Sequence, residues 1–411
     1  MKYLLLKKIL ISGIFFLLMS TNIIQASSNF QENKNYYSNL FNSSNPTNDQ
    51  NITDLMNKLY MTSLSAGIIV NNTLVWYKGY GFYRNYYNIF IPENSKTPTK
   101  DTIYIAASVS KTVTGTAILQ LYEKGKLNLS DNVNDYLGFN LKNPFFPGIN
   151  ITIKMLLTHT SGLNSSKPIY VISIVRNFMK NQNFFFRFLL TSKLKTLKNL
   201  FWLEDNQPGK DFSYANMDFA LLDYIVEVVS GTSFERYCKE NIFDPLDMKN
   251  SSFNYRDFKI NQISSPYLWL HKYDLYIKSY TYNFPLTGAG ALRTTVEDLS
   301  HFLMAHMNNG SYKNVQILNS SNMELMHNVS IVTPSRLYYG FGLGWLTYND
   351  TNFSGHDGDL LGGHARFKWN MPGKFGIIYF WNSDEYPGNF FDRLVILKDL
   401  EKELLKNLPN L

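Results

Sequence analysis

The chain has 411 residues, 45% hydrophobic and 16% aromatic, enough to build a large core in one big or two medium domains. The net charge of +7 is concentrated: between Asn164 and Leu203 stand Lys167, Arg176, Lys180, Arg187, Lys193, Lys195 and Lys198, with no Asp or Glu, which argues against a general nucleic-acid-binding surface. Cys238 is the only cysteine, which excludes an internal disulfide; its surroundings read as a helix in which the thiol packs.

The N-terminus carries Lys2, Lys7 and Lys8, an apolar run from Ile9 to Met19, and Ala26 before a serine pair. This is the pattern of a secretory signal peptide over 1–26, too short in its apolar core for a comfortable membrane span. The expected address is secreted or periplasmic, or membrane-anchored if the leader is retained. Residues 27–54 are rich in Asn and Ser with few apolar anchors and read as a flexible linker, with order beginning near Leu55.

Ser65 to Val70, the pair Asn71-Asn72, and Thr73 to Gly81 read as a β-hairpin. A helix follows near Ser108, with Val109, Val113, Ala117 and Leu121 in an apolar row and Gly125 as its stop. Thr152 to Leu157 is a short helix before His159-Thr160-Ser161-Gly162. The basic segment 164–203 suggests amphipathic helices, read as part of a helical lobe with a solvated face. Its sharper reading is a lid, or a patch making weak contact with a membrane surface. Met217 to Ser230 is a clear helix closed by Gly231, and Thr295 with Asp298 suits a capping box. The aromatic-rich stretch 250–285 gives no clear pattern. Strands return in the C-terminal part, with Pro372-Gly373 joining a hairpin, and a helix closes the chain from Asn389 to Leu405. Strands at both ends and helices between them predict an α/β (α+β) fold. An antiparallel sheet built from both termini, over about 55–125 and 286–405, is flanked by helices. An all-α lobe over about 126–285 is inserted, and one domain spans 55–405.

Ser108 and Lys111 stand three residues apart, on one face of the predicted helix. A serine at a helix N-terminus with an amine one turn on has the parts of a nucleophile and its base, provided that burial keeps the amine partly neutral. Taken alone the spacing is weak evidence, because Ser192 and Lys195 repeat it. Tyr214-Ala215-Asn216 and His356-Asp357-Gly358 follow in order. Asn216 has two readings, a side chain in the cleft or a cap for the helix beginning at Met217. His159 and Ser161 read as loop residues bracing the cleft. No His or Cys cluster has metal-ligand spacing, so neither metal nor cofactor is expected.

Together with Leu156 to Leu163 and Phe243 to Met248, these motifs resemble the serine β-lactamase-like family, which includes penicillin-binding proteins, class C β-lactamases and related esterases and D-peptidases. The resemblance covers about residues 55 to 405. It implies the β-lactamase/transpeptidase-like fold and acyl transfer through an acyl-enzyme. Ser108 would attack, Lys111 would assist its deprotonation, and Tyr214 would shuttle the proton as phenolate or phenol. Asn216 would hold the substrate amide or Lys111. His356 and Gly358 stand where many members carry Lys-Thr-Gly, and the oxyanion would rest on the backbone N–H groups of Ser108 and Asp359. A histidine is a weaker, pH-dependent partner for a substrate carboxylate than a lysine is, which puts true β-lactamase activity in doubt. The expected partner is a small-molecule or peptide substrate, with the oligomeric state open. The rival reading is a non-catalytic ligand-binding or assembly protein on the same fold.

Overall fold

A computed structural model describes residues 48–84, 96–164, 181–191, 195–332, 338–342, 344–348, 351–370, 374–386 and 390–409. The leader at 1–26, most of the linker, Lys167, Arg176, Lys180, Lys193 and the Pro372-Gly373 turn lie outside these residues.

Ser63–Val70 and Thr73–Gly81 form the expected hairpin. Its turn residues Asn71 and Asn72 both take positive φ, +47° and +61°, as a tight turn matched to strand twist requires. Ser63–Val70 pairs on its other edge with Phe375–Trp381, with Leu64 opposite Trp381 and Val70 opposite Phe375. The N-terminal hairpin therefore completes a sheet whose other strands come from the C-terminal part. The sheet has eight strands and is antiparallel throughout, running from Thr73–Gly81 through Phe375–Trp381, Gly363–Asn370 and Thr351–Leu360 to Ile331–Val332.

Both faces of this sheet are covered, and the strand alternation sorts side chains between them. Ile377, Tyr379 and Trp381 face one core with Leu64, Ala66, Ile52, Met56, Leu397, Leu400 and Leu404. Ile378 and Phe380 face the other, with Leu299, Phe302 and Leu303 of the helix Val296–Met307 and the helical insertion beyond. The first core corrects the linker boundary. Residues 48–54 are the first turns of a helix, Asn48–Lys58, that packs on the C-terminal helix Phe390–Leu405. Asp49 fastens it by accepting from Tyr80 Oη at 2.8 Å and pairing with Lys78. The polar composition hid this helix because only Ile52, Met56 and Leu59 need be apolar to cover one end of a sheet.

The helix Ser110–Glu123 is buried over Ser110 to Leu121, on all sides rather than along one stripe. Its threonines are satisfied within the protein: Thr112 Oγ1 donates to Gly342 O, Thr114 Oγ1 to Gly288 O and Thr116 Oγ1 back to Thr112 O. This is the axle between sheet and insertion. The insertion carries Ile153–Leu157, Gln182–Leu190, Lys195–Phe201, Asn216–Ser230 and Phe234–Cys238. It is not wholly helical. The unread stretch 250–285 holds two short strands, Tyr267–Leu270 and Leu275–Lys278, and the first pairs in parallel with Ser383–Tyr386. A strand whose partner comes from the far end of the chain leaves no local signal.

Within the basic segment, Phe185, Phe186, Leu189 and Leu190 enter the main core while Arg187 faces solvent, as a lobe helix with a solvated face should. Cys238 is fully buried and burial pushes its thiol well up, so it packs rather than reacts. No helix among the described residues is long and apolar enough to cross a membrane.

Leu400 is fully buried between the terminal helices and the sheet. Leu400→Ala should lower the unfolding free energy by about 2–4 kcal/mol in urea titrations, while substrate turnover in the absence of denaturant stays within about twofold because the site lies on the other face of the sheet.

Candidate active site

The segment before Ser108 is held in an unusual shape. Ala107 adopts φ +47°, left-handed backbone that a non-glycine residue takes at a cost of order 1–3 kcal/mol. Its neighbours hold it there: Ala106 N–H donates to Leu292 O at 2.8 Å, Ser110 Oγ donates to Ala107 O at 2.6 Å, and Leu292 N–H donates to Ser110 Oγ at 3.0 Å. A turn of 3-10 helix over Ala107–Val109 then leads into the axle helix. Ser108 is half-buried at this junction, with a face open to the cleft, and Lys111 is fully buried behind it.

Lys111 Nζ has three close oxygens: Asn216 Oδ1 at 2.8 Å, Ala289 O at 2.8 Å and Ser108 Oγ at 3.0 Å. A neutral amine has two N–H donors and one lone pair. The amide and carbonyl oxygens can only accept, so they take the two N–H groups, and the lone pair is left for the Ser108 hydroxyl proton. Burial drives the Lys111 pKa well below its usual value, with Asp218 pulling it partly back. The three oxygens would equally match the three N–H donors of an ammonium, so it is burial, not the partner count, that favours the neutral form.

Tyr214 comes from the insertion. Its hydroxyl hydrogen-bonds to Ser108 and its ring centroid lies 4.8 Å from Lys111 Nζ. Burial pushes its pKa up, and the hydrogen bond with Ser108 offsets this only in part, so Tyr214 rests as a phenol. Asn216 is the first residue of Asn216–Ser230, where Ala215 takes the capping position without a side-chain cap. Its side chain goes to Lys111, so the capping alternative does not hold.

His356 lies on Thr351–Leu360, buried, with Nδ1–H donating to Asp357 O at 2.6 Å and Nε2 facing Tyr339 Oη at 3.4 Å. Burial, reinforced by Lys111, lowers its pKa to about 4. It is therefore neutral at ordinary pH, and the pH-dependent cation expected here does not form near neutrality. Gly358 shows why no side chain fits at its position. A Cβ there would meet Ala106 O at 2.2 Å and Ser108 N at 3.1 Å, so this strand lies directly against the serine's own amide. The Asp359 carboxylate is taken up by its own strand pair. Arg366 Nη1 donates to it at 3.2 Å and His364 Nδ1 at 2.7 Å. Burial acts to raise its pKa, but these two cations outweigh it and hold the carboxyl well below the usual range.

Two buried acids on the helix Asn216–Ser230 went unread. Asp218 accepts from Ser161 Oγ at 2.5 Å and lies 2.8 Å from His159 Nδ1, to which Ala215 N–H also points at 3.2 Å. Ala215 N–H and Asp218 thus converge on one ring nitrogen, and burial raises the Asp218 pKa while lowering that of His159. The His159 ring packs, tilted by 43°, with its centroid 4.4 Å from that of Tyr214 and so bounds where the phenol sits. Asp223 accepts from Gly288 N–H at 2.6 Å and anchors the turn that presents Ala289 O to Lys111. The available signal was an acid on each apolar stretch, Met217-Asp218-Phe219 and Leu222-Asp223, where neither belongs without a partner. The reading of His159 and Ser161 as braces agrees with this geometry.

Because Asp218 acts as a neutral acid, Asp218→Asn should preserve both bonds and change melting by no more than about 2 °C. Asp218→Ala removes the acceptor for the Ser161 hydroxyl and one of the two partners of His159 Nδ1 in the interior and should cost about 1–3 kcal/mol, measured by denaturant unfolding.

The beta-lactamase family profile matches residues 48–400. Protein flp of Staphylococcus aureus (strain MW2) is 28% identical over 357 residues, 86% of this chain and 66% of the relative, so the chain spans just under two thirds of that protein's length. Among solved structures, the octameric penicillin-binding protein homologue from Pyrococcus abyssi superposes with a TM-score of 0.69 at 25% identity, covering 88% of this chain and 78% of that one. A class C beta-lactamase superposes with a TM-score of 0.67 at 19% identity, covering 89% and 96%, a likeness of fold. Fold, motif order and family match converge: the chain belongs to the beta-lactamase family, a family of serine hydrolases.

Proposed function

We propose that this chain cleaves a neutral ester or amide through an acyl intermediate on Ser108. The observation that carries the proposal is the contact of the fully buried Lys111 Nζ with Ser108 Oγ at 3.0 Å, the amine being held in place by Asn216 Oδ1 and Ala289 O. Lys111 takes the hydroxyl proton as Ser108 Oγ attacks the carbonyl carbon. The oxyanion rests on the N–H groups of Ser108 and Asp359, brought together by the close approach at Gly358. Tyr214, a phenol, gives its proton to the leaving group and is refilled from the Lys111 ammonium beside its ring. Water then releases the acyl group by the same path in reverse.

The substrate class follows from His356 and from the strand edge. A neutral imidazole offers no charge to a carboxylate, so a substrate without an anionic terminus fits better than a penicillin or a peptide ending in D-alanine. Pairing of Thr351–Leu360 with Gly344–Tyr348 ends at Gly355. Among the described residues, 356–360 therefore have a strand neighbour on one edge only, and an extended substrate can lie along the other. Export by the leader at 1–26 belongs to the same proposal and is supported by its sequence pattern.

Ser108→Ala should abolish turnover of p-nitrophenyl esters and the acyl adduct seen by intact mass. Equal turnover by the folded variant would defeat the reading. Activity of the wild type should fall as pH drops through the lowered Lys111 pKa, since protonation consumes the lone pair. Lys111→Arg, charged at every accessible pH, should lose about 10²–10⁴-fold in kcat. His356→Lys should raise kcat/KM for carboxylate-bearing substrates relative to neutral esters by about tenfold, read as a ratio on one enzyme preparation.

A further inference from the structure

The strand that carries His356 and Gly358 turns charge toward the opposite face of the sheet. There Asp357 stands directly across from Arg366, and Asp359 directly across from His364. Arg366 reaches both acids, Nε lying 3.4 Å from Asp357 Oδ2 and Nη1 3.2 Å from Asp359 Oδ1. Lys368 lies 2.8 Å from Glu401 and 3.7 Å from Asp357, and Arg393 lies 3.3 Å from Asp384. Asp357, Asp359, Asp384 and Glu401 thus face Arg366, Lys368 and Arg393, and balance needs one more cation.

His364 supplies it. The residue is 2% exposed, and its ring stacks on Trp381 with centroids 4.5 Å apart. Nδ1 lies 2.7 Å from Asp359 Oδ1 and Nε2 lies 3.0 Å from Asp384 Oδ1. A carboxylate only accepts, and only an imidazolium has a donor on each ring nitrogen. Arg393 Nη2 comes within 3.3 Å of Nε2, drawn there by the same Asp384. Burial disfavours charge on His364 and on Asp384, but their mutual attraction outweighs it, so the His364 pKa stands above its ordinary value and that of Asp384 below. Asp384 also accepts from Gly362 N–H, at the turn between the two strands. It therefore holds the end of this hairpin by two bonds, one of which needs the histidine's proton.

We propose that the His364 imidazolium is a positioning residue for Ser108: it ties Asp359 to Asp384, fixes the Asp359 N–H, and lets go when it loses its proton. This role rests on the proposed placement of the oxyanion on that N–H. A neutral ring has one donor for two carboxylates and leaves the layer with one negative charge in excess. His364 is the one member of the layer whose ordinary pKa lies near neutrality, so the loosening comes on the alkaline side. The sign for stability agrees: a histidine whose pKa is raised by folding contributes fully below its ordinary value and loses that contribution as pH rises through the raised one.

On p-nitrophenyl esters, kcat of the wild type should fall about tenfold as pH rises through the His364 pKa while KM stays within about twofold, because a slackened oxyanion donor weakens the transition state more than binding. His364→Gln should have the lowered kcat already at neutral pH and no such fall. Asp384→Asn, which removes one counter-charge, should move the fall to lower pH by about one pH unit. A wild-type kcat that stays level into the alkaline range, or a fall that neither variant alters, overturns the proposal. If His364→Gln fails to fold, the wild-type profile and Asp384→Asn decide. Melting needs no turnover: the wild type should lose more stability than His364→Gln over the same rise in pH, and equal losses overturn the imidazolium. Turnover absent at every pH strikes the reading of Ser108 and the positioning role with it; turnover present without the shifted fall strikes the positioning role alone.

Discussion

A lysine amine removed from water is the fixed point of this molecule. Lys111 is tolerable at zero exposure because its N–H groups meet oxygens from two other elements, Asn216 on the long helix Asn216–Ser230 and Ala289 on the turn before the helix Val296–Met307. Neither contact is local. Each requires its element to be docked, and each is held by a further buried acid, Asp218 below His159 and Asp223 below Gly288. The amine and its supports form one closed set of polar groups in an apolar setting, where every member must be satisfied or the whole is unstable.

Burial works against charge around Ser108: it pushes the pKa values of Lys111 and His356 down and those of Tyr214 and Asp218 up. The ionised groups nearest to it, Asp359, Arg366 and His364, are bound to one another along the outer part of the same strands. A low-dielectric site built of neutral donors and acceptors gives its strongest response to charge that develops during reaction. It gives little to charge already present on a substrate.

The parts of this arrangement that could be read in the sequence are those set by short-range geometry. Ser108 and Lys111 share a helix face, Asn71-Asn72 makes a hairpin turn, and Gly231 at φ +72° stops a helix, and all three were legible. So was the assembly of one sheet from two ends of the chain, because strand patterns at both termini have no partners nearby. The protonation of His356 was not legible, since it depends on Tyr339 and Lys111 closing over the ring. Nor was the helix at 48–58, whose few apolar residues matter only once Leu397, Leu400 and Leu404 lie across from them. The small sheet around Tyr267–Leu270 stayed hidden for the same reason.

The left-handed twist at Ala107 has a further meaning for how the molecule matures. No residue within that turn prefers it, and the bonds that enforce it arrive from Leu292, far along the chain. A newly made chain thus carries a slack, unreactive serine until Leu292 and the strand at Gly358 have closed over it. Readiness for chemistry comes last, as a property of the finished whole, and a half-assembled intermediate would present no armed hydroxyl to its surroundings.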